Sequence, residues 1–322
     1  MTRGTWGTGI ATTAVATVSV LAAAGTGDLP AGGRGVAGFP GHAEAVVAPG
    51  ARVEKLAGGF AFTEGATCDA AGDVYFTDQP NDRILRWSAD GKLSTFLEPA
   101  GRSNGMIFDP QGNLLACADG KNELWRIERG TKKVTVLVKG YGGRLLNGPN
   151  DVWLRPDGGL YFTDPYYKRD YWRRGPKEQD VEGVYFLAPD RKTLMRVADD
   201  LKQPNGITGT PDGRTLYVAD IAADRTYAYD IRRDGSLANK RLFCEAGSDG
   251  MTIDAEGNLY LTREGVLVFD KAGRRIATIV VPERPANVCF GGKDRKTLFI
   301  TARTGLYSVR MRTRGVDDHG GK

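Results

Sequence analysis

Short runs of apolar residues alternate with polar turn sequences over most of the chain. The segment 150–164 is typical, because it places Val-Trp-Leu and Leu-Tyr-Phe on either side of Arg-Pro-Asp-Gly-Gly. Aromatic and β-branched residues favour strands, and Pro-Asp-Gly favours a tight turn. The pattern therefore predicts antiparallel hairpins.

The hairpin pattern recurs along the chain at intervals of about 40 to 50 residues, a period typical of a β-propeller. The phrase at 150–164 closely matches the phrase at 64–78. Each of six repeats opens on one polar residue, called an anchor residue below. The anchor residues are Glu64, Asn104, Asn150, Asn205, Asp249 and Asn287. Each repeat has the length and turn signals of a four-stranded blade.

The two ends of the repeat array indicate how the ring closes. The last repeat, from Val288 to Arg310, contains only three strands, whereas Val53–Leu56 is a strand with no repeat before it. We expect this N-terminal strand to complete the last blade and close the ring, which leaves no open sheet edge. The predicted fold is all-β, a single six-bladed β-propeller over residues 51–312 followed by a polar tail over 313–322.

The N-terminal part of the chain does not share this pattern. Residues 9–24 are uncharged and mostly apolar, follow a single Arg3 and end in Ala22–Ala24. These features predict a signal peptide over residues 1–24 and a periplasmic or secreted protein without a membrane span in its mature form. An unstructured leader on a cytoplasmic protein is the alternative. Residues 25–50 are rich in Gly, Ala and Pro, which predicts a flexible linker.

Composition excludes several classes of function. Lys and Arg number 44 against 39 Asp and Glu, and no long basic run is present, so nucleic-acid binding is not favoured. The only histidines, His42 and His319, lie outside the repeats, which excludes a Ser-His-Asp triad and a His-ligated zinc site in the propeller. The four cysteines form no CxxC pair and are expected to be buried as small apolar residues.

The anchor residues are all oxygen donors. If the strands of each blade are antiparallel, the six anchors lie at one mouth of the central channel. Asn-Gly and Asp-Gly pairs also form turns, so a purely structural role is the alternative for three of the anchors, but a turn preference does not explain Glu64. Two carboxylates and several amide oxygens suit a hard divalent cation, most readily Ca²⁺, with Mg²⁺, Mn²⁺ or Zn²⁺ as possible substitutes.

Four motifs at the anchors resemble the gluconolactonase and senescence-marker-protein family of metal-dependent propellers. They are Glu64-Gly65, Asn150-Asp151-Val152, Pro204-Asn205-Gly206 and Ser248-Asp249-Gly250-Met251. The resemblance implies that Glu64, Asn150, Asn205 and Asp249 hold a catalytic metal. It also implies that Asp249 acts as the general acid/base, and that Asn104 contacts the substrate or lies in an outer shell.

The function implied by this resemblance is hydrolysis of a sugar lactone, such as glucono-1,5-lactone, to the aldonic acid. The metal would act as a Lewis acid on the lactone carbonyl. Two alternatives remain: an esterase or phosphotriesterase that uses the same site, and a non-catalytic propeller stabilised by calcium that binds a ligand. The sequence carries no signal for an oligomeric state.

Two departures from the family pattern bear on the substrate. Gly148 stands where animal relatives have Arg, and Asp119 stands where many bacterial relatives have His. The third repeat also contains an insertion over residues 166–180, which should lie on the anchor face. We expect Tyr166 and its aromatic neighbours to form a lid that stacks on a sugar ring, with a solvated surface loop as the alternative.

Overall fold

The fold consists of strands and tight turns, as seen in a computed structural model that describes residues 1–2, 46–172 and 174–316. Strand β1 (Glu54–Gly58) comes first. The strands that follow are β2 (Thr63–Cys68), β3 (Val74–Asp78), β4 (Arg83–Trp87), β5 (Leu93–Leu97), β6 (Ser103–Phe108), β7 (Leu114–Ala118), β8 (Glu123–Ile127), β9 (Val134–Val138), β10 (Gly140–Tyr141), β11 (Arg144–Leu145), β12 (Val152–Leu154), β13 (Leu160–Asp164), β14 (Gly183–Leu187) and β15 (Leu194–Ala198). The remaining strands are β16 (Pro204–Gly209), β17 (Thr215–Asp220), β18 (Arg225–Ile231), β19 (Leu237–Cys244), β20 (Met251–Ile253), β21 (Leu259–Thr262), β22 (Val266–Phe269), β23 (Arg275–Ile279), β24 (Pro285–Gly291), β25 (Thr297–Ala302) and β26 (Gly305–Arg310). Two 3₁₀ helices, Gln79–Asn81 and Asp119–Lys121, follow β3 and β7.

These strands form six four-stranded antiparallel sheets, which confirms the predicted all-β, six-bladed β-propeller. The first five sheets take their strands in chain order, for example β2-β3-β4-β5. The first strands of neighbouring sheets contact one another around the whole ring, so β2, β6, β12, β16, β20 and β24 are the inner strands. One additional two-stranded hairpin, β10-β11, was not predicted.

Aromatic side chains connect neighbouring blades. The ring of Tyr75 packs edge-to-face on Phe96 of its own blade at 5.0 Å and on Phe108 of the next blade at 4.9 Å. In the third blade, the hydroxyl of Tyr161 donates a hydrogen bond to the carbonyl of Gly235 in the fourth blade. Burial of such large apolar surfaces is the dominant favourable contribution to folding. The anchor residues are therefore carried on rigid, closely packed strands.

The sixth sheet has the order β1-β26-β25-β24, so the N-terminal strand is the fourth strand of the last blade. Lys55 of β1 lies opposite Tyr307 of β26. Both side chains donate hydrogen bonds to Glu283, at 2.9 and 2.6 Å, and Thr304 donates two more. Burial alone would raise the pKa of Glu283, but these hydrogen bonds outweigh it and lower the pKa to about 2. An ionised carboxylate therefore ties β1 to the last hairpin.

Some residues that lie before and after the predicted propeller also contact its sixth and fifth blades. Val46 and Val47, which fall in the predicted linker, are buried, and Val47 forms a β-bridge with Met311. In the predicted polar tail, Gly315 forms a bridge with Asp254. These contacts hold residues 46–47 and Gly315 against the ring.

Other predictions for the termini fall outside the described residues. Apart from residues 1–2, the predicted signal peptide is not described, and neither are most of the linker and residues 317–322. Within the described residues, no helix is long and apolar enough to cross a membrane. The periplasmic or secreted location remains a prediction.

Candidate metal centre and substrate cavity

The six anchor residues lie at equivalent places in the six blades. Four are the second or third residue of an inner strand, and Asn150 and Asp249 come two residues before β12 and β20. Asp249 is half-buried and the other five anchors are buried. Because the inner strands run in the same direction around the channel, these side chains meet at one mouth of the ring.

The glycines that follow the anchors are explained by close packing between blades. A Cβ atom on Gly65 would lie only 1.9 Å from the carbonyl oxygen of Asn104, and one on Gly206 would lie 2.3 Å from the carbonyl oxygen of Asp249. Both glycines lie within strands rather than turns. Packing therefore requires the glycines, but it does not explain why the anchors carry oxygen-bearing side chains.

Two carboxylates face each other across this mouth. Glu64 accepts hydrogen bonds from the Gly65 backbone at 2.9 Å and from Nδ2 of Asn287 at 3.2 Å. Burial and the nearby charge of Asp249 raise the pKa of Glu64 well above its usual range. Burial also raises the pKa of Asp249. Two partly desolvated negative charges at short range are unfavourable unless a positive charge compensates them.

Asn205 presents the opposite ends of its amide to different environments. Its Nδ2 donates hydrogen bonds to Oδ1 of Asp249 at 2.9 Å and to the hydroxyl of Tyr167 at 2.6 Å. Its Oδ1 is buried and has no hydrogen-bond donor among the described residues. In contrast, Oδ1 of Asn287 accepts a hydrogen bond from the Val288 backbone at 2.8 Å. Asn205 thus has an acceptor atom to offer a cation, whereas that of Asn287 is already used.

The donor set fits a hard cation. Glu64 and Asp249 supply negative charge, and the unpartnered Oδ1 of Asn205 supplies a neutral oxygen of the kind that Ca²⁺ prefers. Asn150 lies in the wall of the same cavity. The described residues contain no cluster of three or more His, Cys, Asp or Glu side chains suited to a metal, so a cation here depends on the amides.

A cavity of about 210 Å³ opens above these anchors. Glu64, Asn104, Asn150 and Asp249 line it together with polar and apolar residues from other loops. The other lining residues are Phe62, Tyr167, Arg169, Ile221, Arg284, Pro285, Ala286 and Arg303. The cavity therefore combines a charged floor with a partly apolar wall, as small-molecule sites commonly do.

The sequence pattern of one family spans nearly the whole ring. The SMP-30/gluconolactonase/LRE-like region matches residues 62–304, which include all six anchors. This chain belongs to the SMP-30/gluconolactonase/LRE-like family. The family assignment confirms the resemblance found in the anchor motifs.

Several relatives of known name share this fold over most of their length. The gluconolactonase of Zymomonas mobilis is 29% identical over 337 aligned positions, covering 95% of this chain and 94% of the relative. The solved structure of a gluconolactonase from Xanthomonas campestris is 31% identical with a TM-score of 0.78, covering 83% of this chain and 92% of that one. The calcium-binding protein regucalcin from Agrobacterium tumefaciens is 20% identical with a TM-score of 0.68, covering 81% and 93%, and at this identity shares the fold alone.

Within this SMP-30/gluconolactonase/LRE-like propeller, the insertion over 166–180 lies at the anchor face and is held by Asp119. This buried carboxylate accepts hydrogen bonds from the hydroxyl of Tyr171 at 2.6 Å, from Nε of Arg169 at 3.2 Å and from Nε2 of Gln79 at 3.2 Å. Asp119 thus connects the second blade to the insertion and fixes Arg169 at the cavity wall.

The insertion also explains Gly148. At φ +150° this residue has backbone geometry that L side chains rarely adopt, and a Cβ atom would lie 2.5 Å from Oδ1 of Asp119 and 2.9 Å from the Trp172 ring. A longer side chain, such as the Arg of animal relatives, would need the space that these two side chains occupy. Gly148 and Asp119, the two departures from the family pattern, are therefore neighbours in the structure, and both contact the insertion.

Tyr166 lies away from the cavity lining, where its neighbour Tyr167 is found. The ring of Tyr166 packs against that of Trp172, with centroids 5.5 Å apart. Sequence reasoning included Tyr167 among the aromatic residues of the lid but singled out Tyr166, and it missed Arg284 and Arg303. Arg303 could have been found, because the turn between the second and third strands of each blade faces the anchor mouth.

Proposed function

We propose that this chain is a divalent-metal-dependent lactonase that hydrolyses a sugar lactone, such as glucono-1,5-lactone, to the aldonic acid. The reaction class, hydrolysis of a carboxylic ester bond, is that of the relatives named gluconolactonase and lactonase. The observation that carries the proposal is the buried, unpartnered Oδ1 of Asn205, whose Nδ2 donates to Asp249. Asp249 and Glu64 in turn line a cavity that could admit a sugar ring.

Glu64, Asn150, Asn205 and Asp249 would hold the cation, and Ca²⁺ suits their oxygens best. When bound, a divalent cation supplies Lewis acidity that polarises a carbonyl oxygen. The same donors could accept Mg²⁺, Mn²⁺ or Zn²⁺, so the test below compares all four.

Asp249 would move the proton. Its carboxylate lies at the cavity, where it accepts a proton from water as the water attacks the lactone carbonyl carbon. The bond between this carbon and the ring oxygen then breaks, and Asp249 returns the proton to the ring oxygen, which becomes a hydroxyl. The hydrogen bond from Nδ2 of Asn205 fixes the orientation of the carboxylate. Asn104 and Tyr167 lie where they could contact the sugar hydroxyls.

The decisive experiment measures acid release from glucono-1,5-lactone by the full chain with a pH indicator. Chelation is expected to lower the rate at least about a hundredfold, since the Lewis acid would be removed, and calcium should restore it. Magnesium, manganese and zinc are added back in parallel. Turnover that survives complete chelation would contradict metal dependence. Calcium-raised thermal stability without turnover would favour a binding propeller or another ester as substrate.

Asp119 is expected to act on substrate binding through the insertion. Asp119→Asn removes the charge that holds Arg169 and Tyr171, so KM for the lactone should rise about tenfold while kcat changes less than about threefold. The matched control is Asp170→Asn, an exposed position in the same insertion. Equal effects on KM from both variants, or a fall in kcat with KM unchanged, would show that Asp119 does not position the cavity wall.

A further inference from the structure

Three arginines line the cavity from two sides. Arg169 reaches it from the insertion in the third blade, and Arg284 and Arg303 belong to the sixth blade. Arg284 comes directly before β24, and Arg303 occupies the turn between β25 and β26. No lysine is among the lining residues.

Two of these guanidinium groups are poorly neutralised by the protein, and the third is paired with Asp119 but keeps free N–H donors. The closest carboxylate of Arg284 is Glu264 at 3.9 Å, and the partner carboxylate is itself largely exposed. The Arg303 guanidinium makes no hydrogen bond or ion pair with any residue that the structure describes. Arg169 is paired with Asp119 through Nε alone, which leaves its two terminal nitrogens without a protein acceptor in the described ranges.

The backbone holds Arg303 close to the proposed metal centre. Its carbonyl accepts hydrogen bonds from the backbone N–H of Thr63 at 2.8 Å and from the Thr63 hydroxyl at 3.3 Å. Thr63 is the residue directly before Glu64 in β2. The turn that carries Arg303 is thus fixed to the strand that carries a proposed ligand, and Arg303 is one of the residues that line the same cavity.

The cavity therefore has an excess of positive charge once a cation is counted. Glu64 and Asp249 balance a divalent ion, and Asp119 balances Arg169. Arg284 and Arg303 then remain as the excess positive charge at the cavity. Other parts of the wall are apolar, from Phe62, Ile221 and Pro285. A planar guanidinium with free N–H groups binds carboxylate and phosphate oxygens in a paired geometry, and it does so more strongly than it binds neutral hydroxyls.

We propose that the substrate of this site is an anionic lactone, one that carries a carboxylate or phosphate group in addition to the lactone ring. This inference rests on the proposed lactonase function and specifies its substrate class. The anionic group would lie against Arg303 and Arg284, with Arg169 on the other side of the ring. Hydrolysis adds one water, breaks the bond between the carbonyl carbon and the ring oxygen, and leaves the anionic group unchanged.

The test compares three substrates with the calcium-loaded full chain: neutral glucono-1,5-lactone, its 6-phosphate, and the monolactone of the corresponding 1,6-dicarboxylic acid. At least one anionic lactone should have a kcat/KM about tenfold above that of the neutral lactone. The two anionic substrates distinguish phosphate from carboxylate recognition. The preference should decline as ionic strength rises, because salt screens the arginine charges.

Variants at the arginines decide whether the preference arises in this cavity. Arg303→Gln and, separately, Arg284→Gln should each reduce the ratio of anionic to neutral kcat/KM about fivefold or more. The matched control is Arg214→Gln, whose side chain is 85% exposed and lies outside the cavity lining. The control should leave the ratio unchanged. If the ratio fell equally in all three variants, the preference would depend on the net charge of the protein and not on this cavity, which would overturn the proposal.

A second measurement separates failure of this inference from failure of the lactonase function. Calorimetric titration of the full chain with gluconate, 6-phosphogluconate and the 1,6-dicarboxylate should show about tenfold tighter binding of a ligand that carries a second anionic group, reduced in Arg303→Gln. Hydrolysis of all three lactones without such a preference would overturn the anionic substrate and leave the lactonase function standing. If no lactone is hydrolysed, the lactonase function fails. In that case, tighter binding of the ligands with a second anionic group, lost in Arg303→Gln, would still support the anion site. No such preference would reject the anion site.

Discussion

Asp249→Asn is expected to lower kcat/KM for lactone hydrolysis at least about a thousandfold, the largest effect of any single change in this protein. The amide can neither accept the proton from water nor supply negative charge to a cation. The change is close to isosteric, so the hydrogen bond between positions 205 and 249 can be kept with the amide turned. The measurement is steady-state hydrolysis at saturating calcium.

Stability measurements on the same variant separate lost chemistry from lost folding. Asp249→Asn removes one of two neighbouring carboxylates, so the metal-free variant should melt no lower than the metal-free wild type. Calcium should no longer raise its melting temperature. Asp199→Asn, whose side chain is 63% exposed, is the matched control and should behave as wild type. Near-normal turnover by Asp249→Asn in saturating calcium would refute its assigned role.

Asn205→Ala is expected to weaken calcium binding about a hundredfold, because it removes the buried oxygen that has no other partner in the described structure. Activity should return in part at high calcium, which makes the midpoint of calcium activation the quantity to measure. Asn205→Asp retains the oxygen and should restore the midpoint to within a few-fold of wild type.

A second amide of the anchor ring provides the comparison. Asn287→Ala removes an oxygen that already accepts a backbone hydrogen bond, so the calcium midpoint should shift much less than in Asn205→Ala. Equal shifts in the two alanine variants would indicate that the ring of amides acts through structure and not through ligation. Because the midpoint of calcium activation does not depend on the maximal rate, the two alanine variants test which anchors bind the metal.

The architecture could be predicted because its signals are periodic. Each blade repeats the same alternation of apolar strands and turns, so one hairpin such as 150–164 can be checked against five others. The anchor Glu64 stood out for the same reason, since a turn preference does not explain a Glu at this position, whereas the role of Asp249 came from the family resemblance. Repetition also gave the order of strands around the ring, and hence the common mouth at which the anchors lie.

Features that occur in only one blade could not be predicted in this way, because no other repeat shows which of their side chains line the cavity or contact a neighbouring blade. The insertion over 166–180 has no counterpart in other blades, so its sequence could not show that Tyr167 rather than Tyr166 lines the cavity. Asp119 was recognised as a departure from the family, but its role in holding Arg169 depends on contacts between two blades. The hairpin β10-β11 is short and polar, which gives neither periodicity nor a strong strand signal.

The pairing of β1 with β26 has a consequence for the order of assembly. This pairing joins residues that are far apart in the chain, such as Lys55 and Tyr307. Bringing such distant segments together costs loop entropy, and contacts of this kind form late in folding. During synthesis, β1 has no pairing partner until β26 has been made. Until then, the edges of β1 and β25 that later pair with β26 stay open. Closure of the ring therefore waits for the synthesis of β26, and the interval before closure is when self-association competes with folding.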